Sequence, residues 1–167
     1  MSVNVYKQHV LVLPEDDANR QLANGFLLEP RLNLRPIQIL PIVGGWAKLR
    51  DELVSTHLSH LHRYPDAHLV LLIDFDEKVE ERLRIFKESI PVPVCDRVYL
   101  LGTLDEPEPL RKDQGITLEK IGAQLAKECA HEEMDLWTHK MLVHNRPELE
   151  RLIGNVKPFL FNCERNG

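Results

Sequence analysis

Residues 68–76 have the sequence HLVLLIDFD, and this stretch decides the fold. Its five consecutive apolar residues, 69–73, are too few for a helix and do not alternate with polar ones, which predicts a strand buried on both faces. Two acids, Asp74 and Asp76, end the strand, and apolar residues at helical spacing follow over 79–89. The stretch therefore predicts one strand–helix unit of an α/β protein.

The same strand–helix rhythm continues on both sides of this unit. Three further stretches are predicted to be strands: 8–13, 36–43 and 97–101. The first is as apolar as the central strand, whereas two prolines make the second an edge or irregular strand. Helices are predicted between the strands, one with its N-cap at Asp16 or Asp17 and another over 46–64.

This order of elements predicts a doubly wound, mostly parallel four-stranded sheet with helices on both faces, a Rossmann-like architecture. Residues 102–115 are acidic and contain prolines, so we expect a loop there. Three helices are expected after it: 117–130, 132–144 and 147–153. We interpret the chain as a single domain, 1–167, with an α/β core at 8–105 and a helical C-terminal part at 116–167.

Composition restricts the class of protein. The chain has 43% hydrophobic and 28% charged residues, as an ordinary globular protein does, and its net charge of −5 excludes a basic coat for nucleic acid. No apolar run is long enough for a membrane span, and the first residues do not resemble an export signal. The cysteines, Cys95, Cys129 and Cys163, are odd in number and far apart. We therefore expect a cytoplasmic protein without a disulfide framework.

Acidic residues follow three of the four predicted strands. Because parallel strands end at one edge of a sheet, the residues that follow them meet there. The acids are, in chain order, Glu15, Asp16, Asp17, Asp74, Asp76, Glu77, Asp105, Glu106 and Glu108. Clustered carboxylates repel one another unless a cation neutralises them, and oxygen ligands without His or Cys suit Mg²⁺ or Mn²⁺. The pattern predicts a divalent-metal site.

Some of these acids also have a purely structural interpretation. Asp16 and Asp17 lie where a helix begins, and a carboxylate there is favoured by capping and by the helix dipole. Glu15 precedes the cap, and the pair Asp74 and Asp76 is more than one helix cap requires. These last three residues are therefore the candidate site.

Other motifs give little support to other chemistries. His57, His60 and His62 cannot ligate one ion together, because on a single helix they point in different directions. The sequence contains no nucleophile elbow, P-loop or dinucleotide-binding glycine motif. Hydrolase triads and nucleotide-binding loops are therefore not indicated.

The candidate residues resemble the motifs of the topoisomerase–primase (Toprim) family. That family has an α/β fold with a glutamate just after the first strand and an Asp-x-Asp after the third. The matching positions are Glu15, in LPED, and Asp74 and Asp76, in LIDFD, and the glycine pair after the second strand is similar to the family's glycine position. The resemblance covers roughly residues 8–105. The sequence departs from the family at Asp16, where members often carry glycine.

The resemblance implies Mg²⁺- or Mn²⁺-dependent phosphoryl transfer. Asp74 and Asp76 would hold the metal, and Glu15 would act as general acid/base or as a further ligand. In 167 residues with these cysteines we expect neither the tyrosine domain of a topoisomerase nor the zinc module of a primase. The chain therefore resembles the small nuclease-like hydrolases of the family, which implies DNA or RNA as the partner. Cations near the site would contact phosphate: Lys48, Arg50, Lys78, Arg82, Arg111 and Lys112.

Two alternatives stay open. Residues 10–20 resemble the opening of a response-regulator receiver domain, in which an acidic pair binds Mg²⁺ beside a phosphorylated aspartate, here Asp74. The distance of nearly 60 residues between the acidic pair and Asp74 is longer than in most receivers. The second alternative is a non-catalytic Toprim-like protein that keeps the acids for metal binding or assembly. The sequence does not decide whether a homodimer or a protein partner completes the site, and it indicates no membrane partner.

Overall fold

The structure, a computed structural model, describes residues 2–162, and in this range it contains a four-stranded sheet. The strands are β1 (His9–Pro14), β2 (Ile37–Ile39), β3 (Ala67–Asp74) and β4 (Val98–Thr103). They lie in the order β2-β1-β3-β4, and each pair of neighbours is parallel. The predicted fold class is confirmed. The proline-flanked strand β2 is short and lies at an edge, as predicted.

Seven α-helices are present in the described range. They are α1 (Asp17–Phe26), α2 (Trp46–Glu52), α3 (Leu58–Arg63), α4 (Val79–Ser89), α5 (Glu108–Gln114), α6 (Leu118–His131) and α7 (Arg146–Leu160). A π-helical segment, Leu53–His57, joins α2 to α3, so the long helix predicted over 46–64 is present but is widened in its middle. Within residues 2–162, no helix has the length and apolarity that crossing a membrane would require.

Alternate residues of the strands face two separate hydrophobic cores. Val10 and Val12 pack against residues of α1, α6 and α7 on one face of the sheet. Leu11 and Leu13 pack against residues of α2, α3 and α4 on the other face. Because both faces are covered, the central residues of β1, β3 and β4 are continuously apolar, and each fully buried aliphatic side chain contributes about 1.5–3 kcal/mol. The sheet is thereby fixed as a rigid support for the residues that follow its strands.

Helix α5 lies inside the segment that was expected to be a loop, 102–115, and that prediction is wrong for the second half of the segment. Pro107 occupies the N-cap position, and Gly115 ends the helix in the left-handed conformation with φ of 66°. Proline at the start and glycine just past the end are helix-boundary signals as well as loop residues. Leu110 is fully buried and anchors this helix in the core.

The helix predicted over 132–144 is absent. Glu132 ends α6 with a φ of 59°, and the chain continues through two short 3-10 turns. The buried carboxylate of Glu128 accepts hydrogen bonds from the backbone N–H groups of Leu136 at 2.8 Å and Trp137 at 3.3 Å. These bonds satisfy the backbone in a turn, which removes the advantage of a helix there.

Helix α7 is longer than predicted and lies along the free edge of β4. It continues through Gly154, where the sequence predicted its end. The side-chain amide of Asn145, at its N-cap, accepts from the N–H of Gly102 at 3.0 Å and donates to the carbonyl of the same residue at 2.8 Å. The carboxylate of Glu148 accepts from the N–H of Leu100 at 3.2 Å. Side chains thus pair an edge strand that would otherwise expose its backbone.

Helices α1 and α6 cross in close contact at two glycines. A Cβ atom on Gly25 would lie 2.0 Å from the carbonyl oxygen of Glu119, and one on Gly122 would lie 2.0 Å from that of Leu22. Both neighbours are backbone atoms and cannot rotate away. Glycine is therefore required at this crossing by the distance between the two helix backbones.

Replacing Gly122 by Ala is expected to destabilise the protein by about 1–3 kcal/mol, because the helices must separate. Gly154→Ala is the matched control: a Cβ there meets no atom within 4 Å, and alanine is the better helix former by about 1 kcal/mol. Urea denaturation of the two variants tests the contact. Equal midpoints for both variants would contradict the close crossing.

Candidate functional site

The structure brings Glu15 and Asp74 into direct contact. Strands β1 and β3 are neighbours, and Pro14 pairs with Leu72 in the register. Glu15 follows β1, and its backbone N–H still donates to the carbonyl of Leu72 at 2.8 Å. Its carboxylate oxygen Oε2 then accepts from the backbone N–H of Asp74 at 2.7 Å. Two of the three candidate residues are thus held together by the parallel pairing itself.

Asp74 is buried, with 8% of its surface exposed. Its Oδ1 accepts from the amide Nδ2 of Asn19 at 3.2 Å and lies 3.5 Å from the hydroxyl of Thr103. Burial, together with the carboxylates of Asp16, Glu15 and Asp76, raises the pKa of Asp74 to about 7. Burial also raises the pKa of Glu15. Both shifts have the same origin, which is negative charge gathered in a place with little water.

Asp16 and Asp17 lie at the start of α1, as predicted, and both have structural roles there. Asp16 is the N-cap of α1, and its Oδ1 accepts from the backbone N–H of Asn19 at 3.0 Å. The side-chain amide of Asn19 also donates to this oxygen at 3.1 Å. Asp17 is exposed and forms an ion pair with Arg20. Asp16 therefore both caps a helix and adds charge beside Asp74, whereas Asp17 faces solvent.

Asp76 does not continue the strand. Asp76 and Glu77 have φ angles of 51° and 61°, so the chain turns sharply after the buried Phe75. Two residues apart on a continued strand, Asp74 and Asp76 would point to the same side, but this turn breaks that alternation. Asp76 is half exposed, and its Oδ2 lies 3.3 Å from Nη2 of Arg82. Its charge nevertheless contributes to the raised pKa of Asp74.

The remaining predicted features are divided between the site and solvent. The backbone N–H of Gly44 donates to the carbonyl of Glu15 at 2.8 Å, and its φ of 85° is one that favours glycine. The glycine pair after β2 thus adjoins the acids. Glu108, in contrast, lies at the start of α5, exposed, and forms an ion pair with Arg111. Of the acids after β4, Asp105 contacts the site through its backbone: its carbonyl accepts from the hydroxyl of Thr103 at 2.5 Å.

Three residues of the site were not singled out from the sequence. Asn19 bridges Asp16 and Asp74 through one amide. Thr103 lies beside Asp74, and the indole ring of Trp46 covers the guanidinium of Arg82. Asn19 stands three residues after the N-cap on the buried face of α1, which is the only sequence signal that could have found it.

The acids offer oxygen ligands alone, which is the donor set that Mg²⁺ and Mn²⁺ prefer. Among residues 2–162, however, no three His, Cys, Asp or Glu side chains are gathered closely enough to form a ready metal cage. Glu15 faces a backbone N–H and Asp76 faces Arg82. The donor chemistry fits a divalent cation, provided that these two side chains turn toward Asp74.

His9 and His60 form a pair that lies away from the acidic residues that follow β1 and β3. The Nε2 atoms of His9 and His60 are 2.9 Å apart, and Nδ1 of His9 lies 2.7 Å from the carbonyl of Lys7. His9 begins β1, so this pair lies at the opposite end of the strand from Glu15. His57 belongs to the π-helical segment instead. The structure thus places no histidine cluster at the acidic site.

Comparison with known proteins adds no assignment. Searches against protein-family models, curated proteins and solved structures found no match to this chain. The chemistry of the acidic site (Glu15, Asp16, Asp74 and Asp76) therefore rests on its own residues.

Proposed function

We propose that this chain is a Toprim-like protein that uses Mg²⁺ or Mn²⁺ to cleave phosphodiester bonds of DNA or RNA. One observation carries the proposal: the carboxylate of Glu15 lies 2.7 Å from the backbone N–H of Asp74, across two neighbouring parallel strands. This contact joins two candidate residues at the edge where ligands bind in open α/β sheets. The proposal includes a cytoplasmic location, which the free cysteines Cys95 and Cys129 support.

Each acid has a distinct role in this proposal. Asp74 and Asp76 hold the metal, and Glu15 transfers a proton or completes the metal shell. The bound metal supplies electrostatic stabilisation of the charge that develops on the scissile phosphate. The raised pKa of Glu15 suits a general acid, because more of this side chain is protonated near neutral pH than in an exposed glutamate.

The raised pKa of Asp74 also links metal binding to pH. A metal ligand must be ionised, so Asp74 would have to lose its proton in order to hold a cation. Below a pH of about 7, apparent Mn²⁺ affinity should therefore fall as pH falls, and above it the affinity should level off.

The test is cleavage of single- and double-stranded DNA and RNA by the purified chain with Mg²⁺ or Mn²⁺, and with EDTA as the metal-free control. We expect cleavage with metal and none with EDTA. Metal binding without cleavage of any of the four substrates would favour the non-catalytic alternative. Cleavage that persists in EDTA would contradict the proposed mechanism.

One observation favours the receiver alternative as a second candidate. The amide of Asn19 holds Asp16 and Asp74 together, so an acid of the first βα junction lies beside the aspartate that would accept phosphate. Incubation with acetyl phosphate and Mg²⁺, followed by mass spectrometry of the intact protein, separates the two functions. A stable phosphate on Asp74 would favour a signalling domain and would count against a nuclease.

A further inference from the structure

Arg82 is a buried cation at the acidic site. It lies on α4, has 6% of its surface exposed, and its guanidinium carbon is 4.0 Å from the centroid of the Trp46 indole. The other five cations considered above as phosphate contacts are exposed or half-buried. Arg82 is also close enough to Glu15 to oppose the rise of its pKa. A guanidinium this deeply buried normally has its donors paired.

The donors of Arg82 are poorly paired. The contact between its Nη2 and Asp76 is 3.3 Å long, and its buried Nε–H has no hydrogen-bond partner among residues 2–162. Nε–H and Nη2–H lie on the same side of a guanidinium and form the fork that holds two oxygens at once. Asp76 thus contacts Nη2, and Nε–H is left without an acceptor.

Two other arginines, Arg97 and Arg151, have a purely structural role, and their guanidinium groups are engaged by several acceptors. Arg97 donates to three backbone carbonyl groups at 2.8–3.0 Å. Arg151 donates to the carbonyl of Val98 at 2.6 Å and to Glu148 at 2.7 Å, and it also stacks on Tyr99. Arg82 has the stacking ring but not the acceptors. The buried, unpaired Nε–H of Arg82 is therefore not a feature that Arg97 and Arg151 share.

We propose that the fork of Arg82, supported by the indole of Trp46, binds a phosphoryl oxyanion beside the acidic site. A tetrahedral oxyanion can offer two oxygens to Nε–H and Nη2–H, whereas Asp76 contacts Nη2 alone. The ring holds the guanidinium in place, so little side-chain entropy is lost on binding. Asp76 and the anion compete for the same fork, and release of Asp76 frees it to turn toward Asp74.

This site deepens the proposed function, since it would hold a substrate phosphate, but its test needs no metal. Inorganic phosphate is titrated into the protein in EDTA, and the tryptophan emission is followed. We expect a saturable change that Trp46→Phe removes, which would assign the signal to that ring. A short oligothymidylate serves as the second probe: tighter binding than inorganic phosphate identifies nucleic acid as the source of the phosphoryl group, and weaker binding identifies a free phosphate. Either result supports the site.

The variants make the assignment specific. Arg82→Gln should weaken phosphate binding by at least about tenfold, and Arg82→Lys should weaken it less, because lysine keeps the charge but not the fork. Asp76→Asn should tighten binding about threefold by removing the competitor. Arg84→Gln is the matched control on the same helix: Arg84 is exposed and pairs with Glu88, so binding should not change. Circular dichroism verifies that each variant is folded.

The proposal is overturned if neither probe changes the emission of folded wild-type protein and folded Asp76→Asn. It is also overturned if the change is the same in Arg82→Lys as in wild type. Phosphate binding without metal-dependent cleavage would leave this site standing and remove the nuclease. Cleavage without phosphate binding in EDTA would remove this site and leave the nuclease proposal standing.

Discussion

Replacing Glu15 by Gln is expected to reduce metal-dependent cleavage by at least about 100-fold, the usual contribution of a general acid or base. The variant keeps a carbonyl oxygen that can accept the backbone N–H of Asp74, which the carboxylate accepts at 2.7 Å. The fold should therefore persist while the ability to transfer a proton is lost. Initial rates on the preferred nucleic acid, measured with Mg²⁺ and with Mn²⁺, give the comparison.

Asp17→Asn is the matched control for this substitution. Asp17 is an acid two residues further along, but it is exposed and pairs with Arg20. Its loss should change the rate by less than about twofold. Cleavage that survives Glu15→Gln unchanged would come from a contaminating nuclease or from a different site, and it would remove Glu15 from the mechanism.

The second large effect concerns stability. Asp74→Asn is expected to raise the free energy of unfolding at pH 8 by up to about 4 kcal/mol, since the carboxyl pKa rises from 3.8 to about 7 and each unit corresponds to about 1.4 kcal/mol. The asparagine keeps an oxygen for the amide of Asn19, which the carboxylate now accepts at 3.2 Å. A site residue that improves stability when it is neutralised is typical of function retained at a cost in stability.

The pH dependence of this gain has a definite sign. A pKa that is raised in the folded state means that the ionised side chain is disfavoured by folding. The free energy of unfolding of the wild-type protein therefore falls as pH rises from about 4 through about 7, because Asp74 is then forced to ionise in its buried position. The advantage of Asp74→Asn should be absent at pH 4 and complete at pH 8. Urea denaturation at both values measures it, and an equal advantage at the two pH values would contradict the burial of an ionisable Asp74.

The meeting of Glu15 with Asp74 could be predicted because it follows from two buried strands and one rule of topology. Both strands are continuously apolar, which indicates a parallel sheet, and parallel strands end at a common edge. The short edge strand could be predicted from its prolines in the same way. For these strands the local sequence pattern was sufficient.

The remaining parts of the site depend on contacts that no local pattern contains. The position of Asp76 is set by a left-handed turn at Asp76 and Glu77, where the sequence suggested a continued strand. The burial of Arg82 depends on Trp46, which lies in a different helix. Among cations near a predicted site, one sequence cannot show which guanidinium is buried, because that depends on tertiary packing.

The C-terminal half shows the same limit. Helix α5 was missed because its boundary residues, Pro107 and Gly115, are also typical of loops. The helix expected over 132–144 is absent because a buried carboxylate, Glu128, accepts hydrogen bonds from the backbone N–H groups of Leu136 and Trp137. Propensity and spacing favoured a helix there, and a tertiary hydrogen bond prevailed. The C-terminal helices cover one face of the sheet and the edge of β4.

The most direct test of the account is Mn²⁺ binding by the acidic site, followed by electron paramagnetic resonance of free Mn²⁺ at pH 8. We predict saturable binding by the wild-type protein and by Asp17→Asn, and loss of that binding in Asp74→Asn. An absence of binding at millimolar Mn²⁺, or equal affinity in wild type and Asp74→Asn, would contradict the claim that these acids hold a divalent cation.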